Sequence, residues 1–285
     1  MAGTLYVVAT PIGNLEDITV RALRILREVA LIAAEDTRRT AHLLTRYGIT
    51  TPTTSLHEHN EHRKSSSLIA RLQHDESLAL VSDAGTPTVS DPGQHLISEA
   101  IRSGIRVEAI PGPNAAIAVL SVSGLSTDRF VFLGFPPTRA KDRNLWMERL
   151  QEAESVAIFY EAPHRILQTL EDIKATIGDA FVVIGRELTK AHEELVRGPI
   201  SRVLSSGLNA KGEFTVVVDV GQITDTAASD GAQDAKMADL VTEFGQLTID
   251  VSQTRRQVIS ALAKKYGLTA RQAYEAVEAA KKSGG

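Results

Sequence analysis

The chain has no cysteine among its 285 residues, so disulfide cross-links and thiolate-held metal sites are excluded. It has no Gly-x-x-x-x-Gly-Lys-Ser/Thr, which rules out phosphate clamping by a P-loop lysine. No Gly-x-Gly-x-x-Gly follows the first strand-like run, which argues against a nicotinamide or flavin site of the Rossmann kind. No long apolar run is present either. The longest uncharged stretch, Ala109–Thr127, is interrupted by Pro111, Gly112, Pro113 and Asn114, and reads as a loop followed by a buried helix. Strand-like sequence begins at Leu5 with no basic-then-apolar leader before it, so a cytoplasmic protein is expected. His57, His59 and His62 crowd together, but no second cluster stands at ligand spacing, and no metal is expected. The single tryptophan, Trp146, and Met147 lie at helical spacing and read as core or interface, as do Phe135 and Phe159.

What is present is a set of three loops rich in proline and glycine, each after a short apolar run. Leu5–Ala9 leads into Thr10-Pro11-Ile12-Gly13-Asn14, and Leu78–Ser82 into a loop from Asp83 to Gly93. Ile105–Ile110 leads into Pro111-Gly112-Pro113-Asn114-Ala115-Ala116. Loops leaving the carboxyl ends of parallel strands gather on one edge, where small ligands bind. Glycine lets a backbone come close without a Cβ, and proline holds φ, so the loops keep their shape unoccupied. The pattern predicts a rigid, mostly main-chain cradle for one small molecule.

Net charge is −4, but it is unevenly spread. Residues 246–285 carry seven basic side chains against Asp250, Glu275 and Glu278, or +4, which leaves 24 basic and 32 acidic residues, or −8, in the rest. A basic tail on an acidic body suits contact with a polyanion, although a solvated helical face would look the same. Strand and helix patterns alternate over residues 1–122, as in a parallel sheet covered on both faces. A second α/β block spans 123–222. An acidic linker, 223–245, then leads to a helical tail, 246–285, with helix-turn-helix spacing.

Taken together, the three loops resemble the tetrapyrrole-methylase superfamily, and within it the ribosomal RNA small-subunit methyltransferase I family. Further blocks agree: Glu35-Asp36-Thr37-Arg38, His57 to Glu61, Tyr160 to Arg165, Gly185 to Lys190, and His192-Glu193-Glu194. The resemblance runs from the first strand to about Val220, and the tail is similar too. It implies a two-domain α/β fold with a parallel-rich first sheet, a mixed second sheet and a small helical tail. It also implies S-adenosylmethionine as cofactor, a homodimer, and methyl transfer to the ribose 2′-oxygen of cytidine 1402 in 16S ribosomal RNA.

On that resemblance, Ile12, Asp83, Gly85, Thr86, Asn114 and Ala115 are expected to contact the cofactor, with Tyr160, Leu188 and Thr215 enclosing its adenine. An activated methyl needs alignment and a proton acceptor, not a metal. Asp36, His57, Glu58 and Glu61 are the candidates in the first domain, and Glu161, His164 and Glu193 in the second. Arg38, Arg165, Arg186, Lys190, Arg255 and Arg256 suit RNA phosphates. Two other readings stay open: the same fold acting on a tetrapyrrole or protein acceptor, and a non-catalytic RNA-binding assembly factor.

Overall fold

The computed structural model describes residues 2–153 and 155–221, together with Leu240, Phe244, Val258, Leu262, Lys265, Tyr266 and Val277. The chain divides into two compact units, Met1–Ile223 and Thr224–Gly285.

The first half of the larger unit alternates strands and helices. Its strands are β1 (Thr4–Val8), β2 (Leu31–Ala34), β3 (Thr53–Ser55), β4 (Leu78–Val81) and β5 (Arg106–Ile110). Between them lie α1 (Val20–Glu28), α2 (Thr37–Arg46), α3 (Glu61–Gln73) and α4 (Gln94–Arg102). The strands form one parallel sheet in the order β3-β2-β4-β1-β5. Side chains alternate across a strand, so β4 serves both faces. Leu78 and Leu80 pack with Leu68, Leu72 and Leu96 of α3 and α4. Ala79 and Val81 pack with Ala22, Ile25, Leu43 and Leu44 of α1 and α2. Both faces are covered, which is why the central strands are apolar throughout.

Capping side chains set two of the helix starts. Asp17 lies in a short 3-10 turn, and the α1 cap is Thr19, whose hydroxyl accepts the Ala22 amide. The second helix begins at Thr37 because Asp36 caps it by accepting the Arg38 amide.

The second half begins with α5 (Ala115–Ser121), which follows the third loop directly. It continues as β6 (Phe130–Phe132), α6 (Ala140–Gln151), β7 (Val156–Glu161), α7 (Ile166–Ile177), β8 (Phe181–Arg186), β9 (Glu194–Pro199), α8 (Ile200–Ser205) and β10 (Phe214–Asp219). The sheet order is β6-β7-β10-β8-β9, with β6 parallel to β7 and the other pairs antiparallel. One face, with Phe159 fully buried, packs on α6, α7 and α8. Trp146 and Met147 belong to that core. The other face takes α5, whose Ala116, Val119 and Leu120 pack against Val156, Ile158, Val183 and Val217. Thus α5 joins the third loop to the second sheet. Strand β9 is half-exposed, and its sequence has no apolar-polar alternation.

In the smaller unit, Leu240, Phe244, Val258, Leu262 and Val277 are helical and share a buried cluster with Tyr266 against it. Leu240 and Phe244 fall inside the stretch read as linker. The expected tail helices, and with them Arg255 and Arg256, lie otherwise outside the described residues. Among the described residues no helix is long and apolar enough to cross a membrane.

Candidate active site

The three loops do converge, and main-chain bonds hold them together. Thr10 and Gly85 exchange two backbone hydrogen bonds, of 2.8 and 3.0 Å, tying the first loop to the second. The Thr86 hydroxyl donates to the Pro113 carbonyl at 3.2 Å, tying the second to the third. At Gly112 a Cβ would stand 2.9 Å from the Cβ of Ala9, so only glycine lets the third loop lie on the first. At Gly13 it would stand 2.7 Å from the Leu188 carbonyl oxygen. There the first loop meets a loop from the second half, fastened by the Asn14 amide donating to the Thr189 hydroxyl at 2.9 Å. These glycines serve contact between loops, whereas the sequence had suggested an approach to ligand.

The loops open onto a cavity of about 430 Å³. Ile12, Asp83, Gly85, Thr86, Asn114 and Ala115 line it from the first half, and Tyr160, Leu188 and Thr215 from the second. All nine residues expected at the cofactor therefore share one wall system. Tyr160 and Thr215 are direct cross-strand partners on β7 and β10, so their side chains project on the same side of the sheet. Leu188 is held between Glu187 and Thr189, both with positive φ (50° and 63°). Asn114 lines the cavity and also caps α5, accepting the Ile117 amide at 3.2 Å.

The four proton-acceptor candidates of the first domain lie elsewhere. Asp36 is occupied as a helix cap and by Arg38, whose hydrogen bonds hold its carboxyl well below the usual range. Glu61 is buried and accepts the amides of His95 and Leu96, at 2.7 and 3.1 Å, at the start of α4. His57 is bonded through Nε2 to Asn60 at 2.9 Å. Glu58 is exposed, as are His164 and Glu193 of the second domain. Glu161 does line the cavity.

The described cations proposed for RNA all have acidic partners: Arg38 with Asp36, Arg165 with Glu161, Arg186 with Glu194, and Lys190 with Glu187 and Glu213. Arg165 also donates to the Pro136 and Pro137 carbonyls, a structural commitment.

Four charged residues at the cavity, Glu35, Arg39, Asp91 and Glu213, were absent from the sequence-based assignment. Glu35 follows β2 directly and accepts the Asp83 amide at 3.2 Å; burial, more than any other influence, raises its pKa. Burial also pushes Asp91 up to about 6, with the Ser82 hydroxyl acting against it and the Glu35 and Asp83 charges adding to it. Arg39, largely exposed, lies 3.5 Å from the Asp83 carboxylate. Capping logic was the missed signal: an Asp one residue before a helix is spoken for, which turns attention to its neighbour Glu35. Phe135, expected in a core or interface, is half-exposed and lines the cavity 5.4 Å from the Tyr160 ring.

Residues 4–204 match the family of tetrapyrrole (corrin/porphyrin) methylases. A Pseudomonas aeruginosa protein named ribosomal RNA small subunit methyltransferase I is 47% identical over 245 residues, covering 84% of this chain and 87% of that one. The chain belongs to the ribosomal RNA small subunit methyltransferase I family. It is accordingly a methyltransferase.

Another member, from Thermotoga maritima, is 47% identical over 218 residues; the match covers 98% of that protein but 76% of this chain. About a quarter of this methyltransferase therefore lies outside that match. Solved structures support the fold. A diphthine synthase superposes with a TM-score of 0.62 at 18% identity, covering 76% of this chain and 90% of that one. The uroporphyrin-III-C-methyltransferase of Thermus thermophilus gives 0.54 at 18% identity, covering 77% and 95%.

Proposed function

We propose that this methyltransferase uses S-adenosylmethionine to methylate the ribose 2′-oxygen of cytidine 1402 in 16S ribosomal RNA, as a cytoplasmic homodimer acting on the small subunit. One observation carries the reading: nine residues from two sheets, expected at the cofactor, line a single cavity of about 430 Å³.

The lining fits that cofactor. Its volume is in the range of small-molecule sites. Ile12, Phe135, Tyr160, Leu188 and Phe214 offer apolar walls for a nucleoside, while Glu35, Asp83, Asp91, Glu161 and Glu213 outnumber the one lining cation, Arg39. An acidic lining attracts a positive ligand and repels phosphate. When bound, S-adenosylmethionine supplies a methyl already activated by its positive sulfur.

The chain's own residues then act in three ways. Tyr160, Leu188 and Thr215 would hold the adenine and exclude water. Asp83, opening the second loop, would accept hydrogen bonds from the ribose or amino-acid end. The packed loops would hold a bound methyl donor in one orientation, and alignment of reacting groups removes a large part of such a barrier. RNA phosphates stay outside, with Arg39 and Arg38 at the exposed start of α2 to meet them. The basic segment 246–285, including Arg255 and Arg256, would add phosphate contacts.

Mass spectrometry of nuclease-digested 16S ribosomal RNA from cells with and without this protein tests the reading. A ribose-methylated cytidine that disappears with the protein is expected. An unchanged methylation pattern would overturn it.

A further inference from the structure

Five carboxyl groups line the cavity, and four of them are committed to protein partners. Glu35 accepts the Asp83 amide. Asp83 accepts the Asp36 amide at 2.9 Å and faces Arg39 at 3.5 Å. Glu161 accepts the Thr169 hydroxyl at 2.5 Å and the Ala162 amide at 2.8 Å, with Arg165 at 3.4 Å. Glu213 faces the Lys190 ammonium at 2.8 Å. Asp91 is different. Among the described residues its partner is the Ser82 hydroxyl, and neither a cation nor a backbone N–H reaches it.

The backbone around Asp91 is held in an unusual way. Thr88 and Ser90 both adopt positive φ, 73° and 69°, though neither is glycine. Gly93 has φ of 123°, and a Cβ there would stand 2.6 Å from the Leu80 side chain, so the loop is seated on the first-half core. Strained non-glycine residues persist only where the surroundings over-determine them. The result is a rigid presentation to the cavity of one carboxylate held by neither a cation nor a backbone amide. Tyr160 faces it from β7 of the second sheet; burial raises that phenol, and the Asp91 charge adds to the shift. The other charges facing Asp91 are Glu35, beyond β2, and Asp83, beyond β4.

A ribose hydroxyl needs a base close to the transition state, and a base must have a lone pair to give. We propose that Asp91 is a catalytic residue, the acceptor of the proton from the substrate hydroxyl. The inference rests on the reading of this protein as a ribose methyltransferase. In the step, the substrate oxygen gains the methyl carbon as that carbon's bond to sulfur breaks, with the electron pair leaving on sulfur. The hydroxyl proton passes to a carboxylate oxygen of Asp91. The environment of this residue suits a base, because a carboxyl that titrates at about 6 is ionised at neutral pH yet more basic than a surface aspartate.

The test uses the full-length protein, S-adenosylmethionine and small subunits lacking the modification, with single-turnover rates measured from pH 5 to 8. For wild type the rate should rise through about pH 6 and then level off. Asp91→Asn should be slower by about 100-fold or more, without that rise, while calorimetry shows cofactor affinity within roughly twofold of wild type. Asp91→Glu, with a base of different reach, should be faster than Asp91→Asn and show a displaced rise. A wild-type rate in Asp91→Asn, the same pH rise in that variant, or loss of cofactor binding would overturn the assignment. Should Asp91→Asn fail to fold, Asp91→Glu decides: an undisplaced rise overturns the role. A wild-type protein that leaves small subunits unmethylated would refute the functional reading itself, and the role of Asp91 with it. An active wild type beside an unimpaired variant refutes the role alone.

Discussion

The two halves of the larger unit build the cavity by different means. The first supplies loops at the carboxyl edge of a parallel sheet, fastened main chain to main chain through Thr10, Gly85 and Pro113. The second supplies side chains standing on antiparallel strands, Tyr160 and Thr215, and one loop that carries Leu188. A loop site depends on backbone shape, so an added methyl group can damage it. A strand site depends on what its side chains fill, so a truncation damages it. The difference teaches where each half is vulnerable.

Gly13→Val attacks the joint between them. Its side chain would meet the Leu188 carbonyl oxygen and Lys190 at under 3 Å, so the two walls must part. Overpacking of this kind costs about 2 kcal/mol, or roughly 30-fold in cofactor affinity by calorimetry. Equal affinity would show that the first half holds the cofactor unaided.

Leu188→Ala leaves the loops intact and removes part of one wall. Loss of half-buried methylene surface predicts about 1 kcal/mol, or some fivefold weaker cofactor binding, with little change in melting temperature. A larger effect than that of Gly13→Val would reverse the comparison.

The smallest expected effect is on stability. Asp91 titrates higher when folded, at about 6, than the ordinary 3.8. A raised carboxyl makes the fold bind more protons than the unfolded chain between those values, so stability falls as pH rises through the window. Asp91→Asn escapes that loss. It should stabilise the protein by on the order of 1 kcal/mol at pH 7.5 and by almost nothing at pH 4, measured by urea unfolding at both. A pH-independent difference would mean that the loop holds the carboxylate without electrostatic cost.

The comparison also explains what could be read from the sequence. Parallel strands buried on both faces gave unbroken apolar runs, and their loops carried proline and glycine, so the first half and its cradle were legible. Strand β9 was not, because an edge strand with Glu194 and Arg197 shows no period of two. The residues of the second half expected at the cofactor came from the resemblance alone, since nothing in Tyr160 or Thr215 marks a site until β7 pairs with β10. Asp36 and Glu61 serve helix starts, as the α2 cap and the acceptor of the first α4 amides, and sequence alone does not separate that use of a carboxylate from a catalytic one. Asp91 stands unmarked within the loop from Asp83 to Gly93, because the backbone strain and setting that single it out exist only in three dimensions.

Helix α5 has a further consequence. It leaves the third loop at Asn114 and buries Val119 and Leu120 against the second sheet, so the two sheets cannot swing apart like jaws without tearing that seam. The seam therefore ties the two walls of the cavity together. On the proposed reading, an RNA substrate would reach those walls with a single nucleotide swung free of its neighbours.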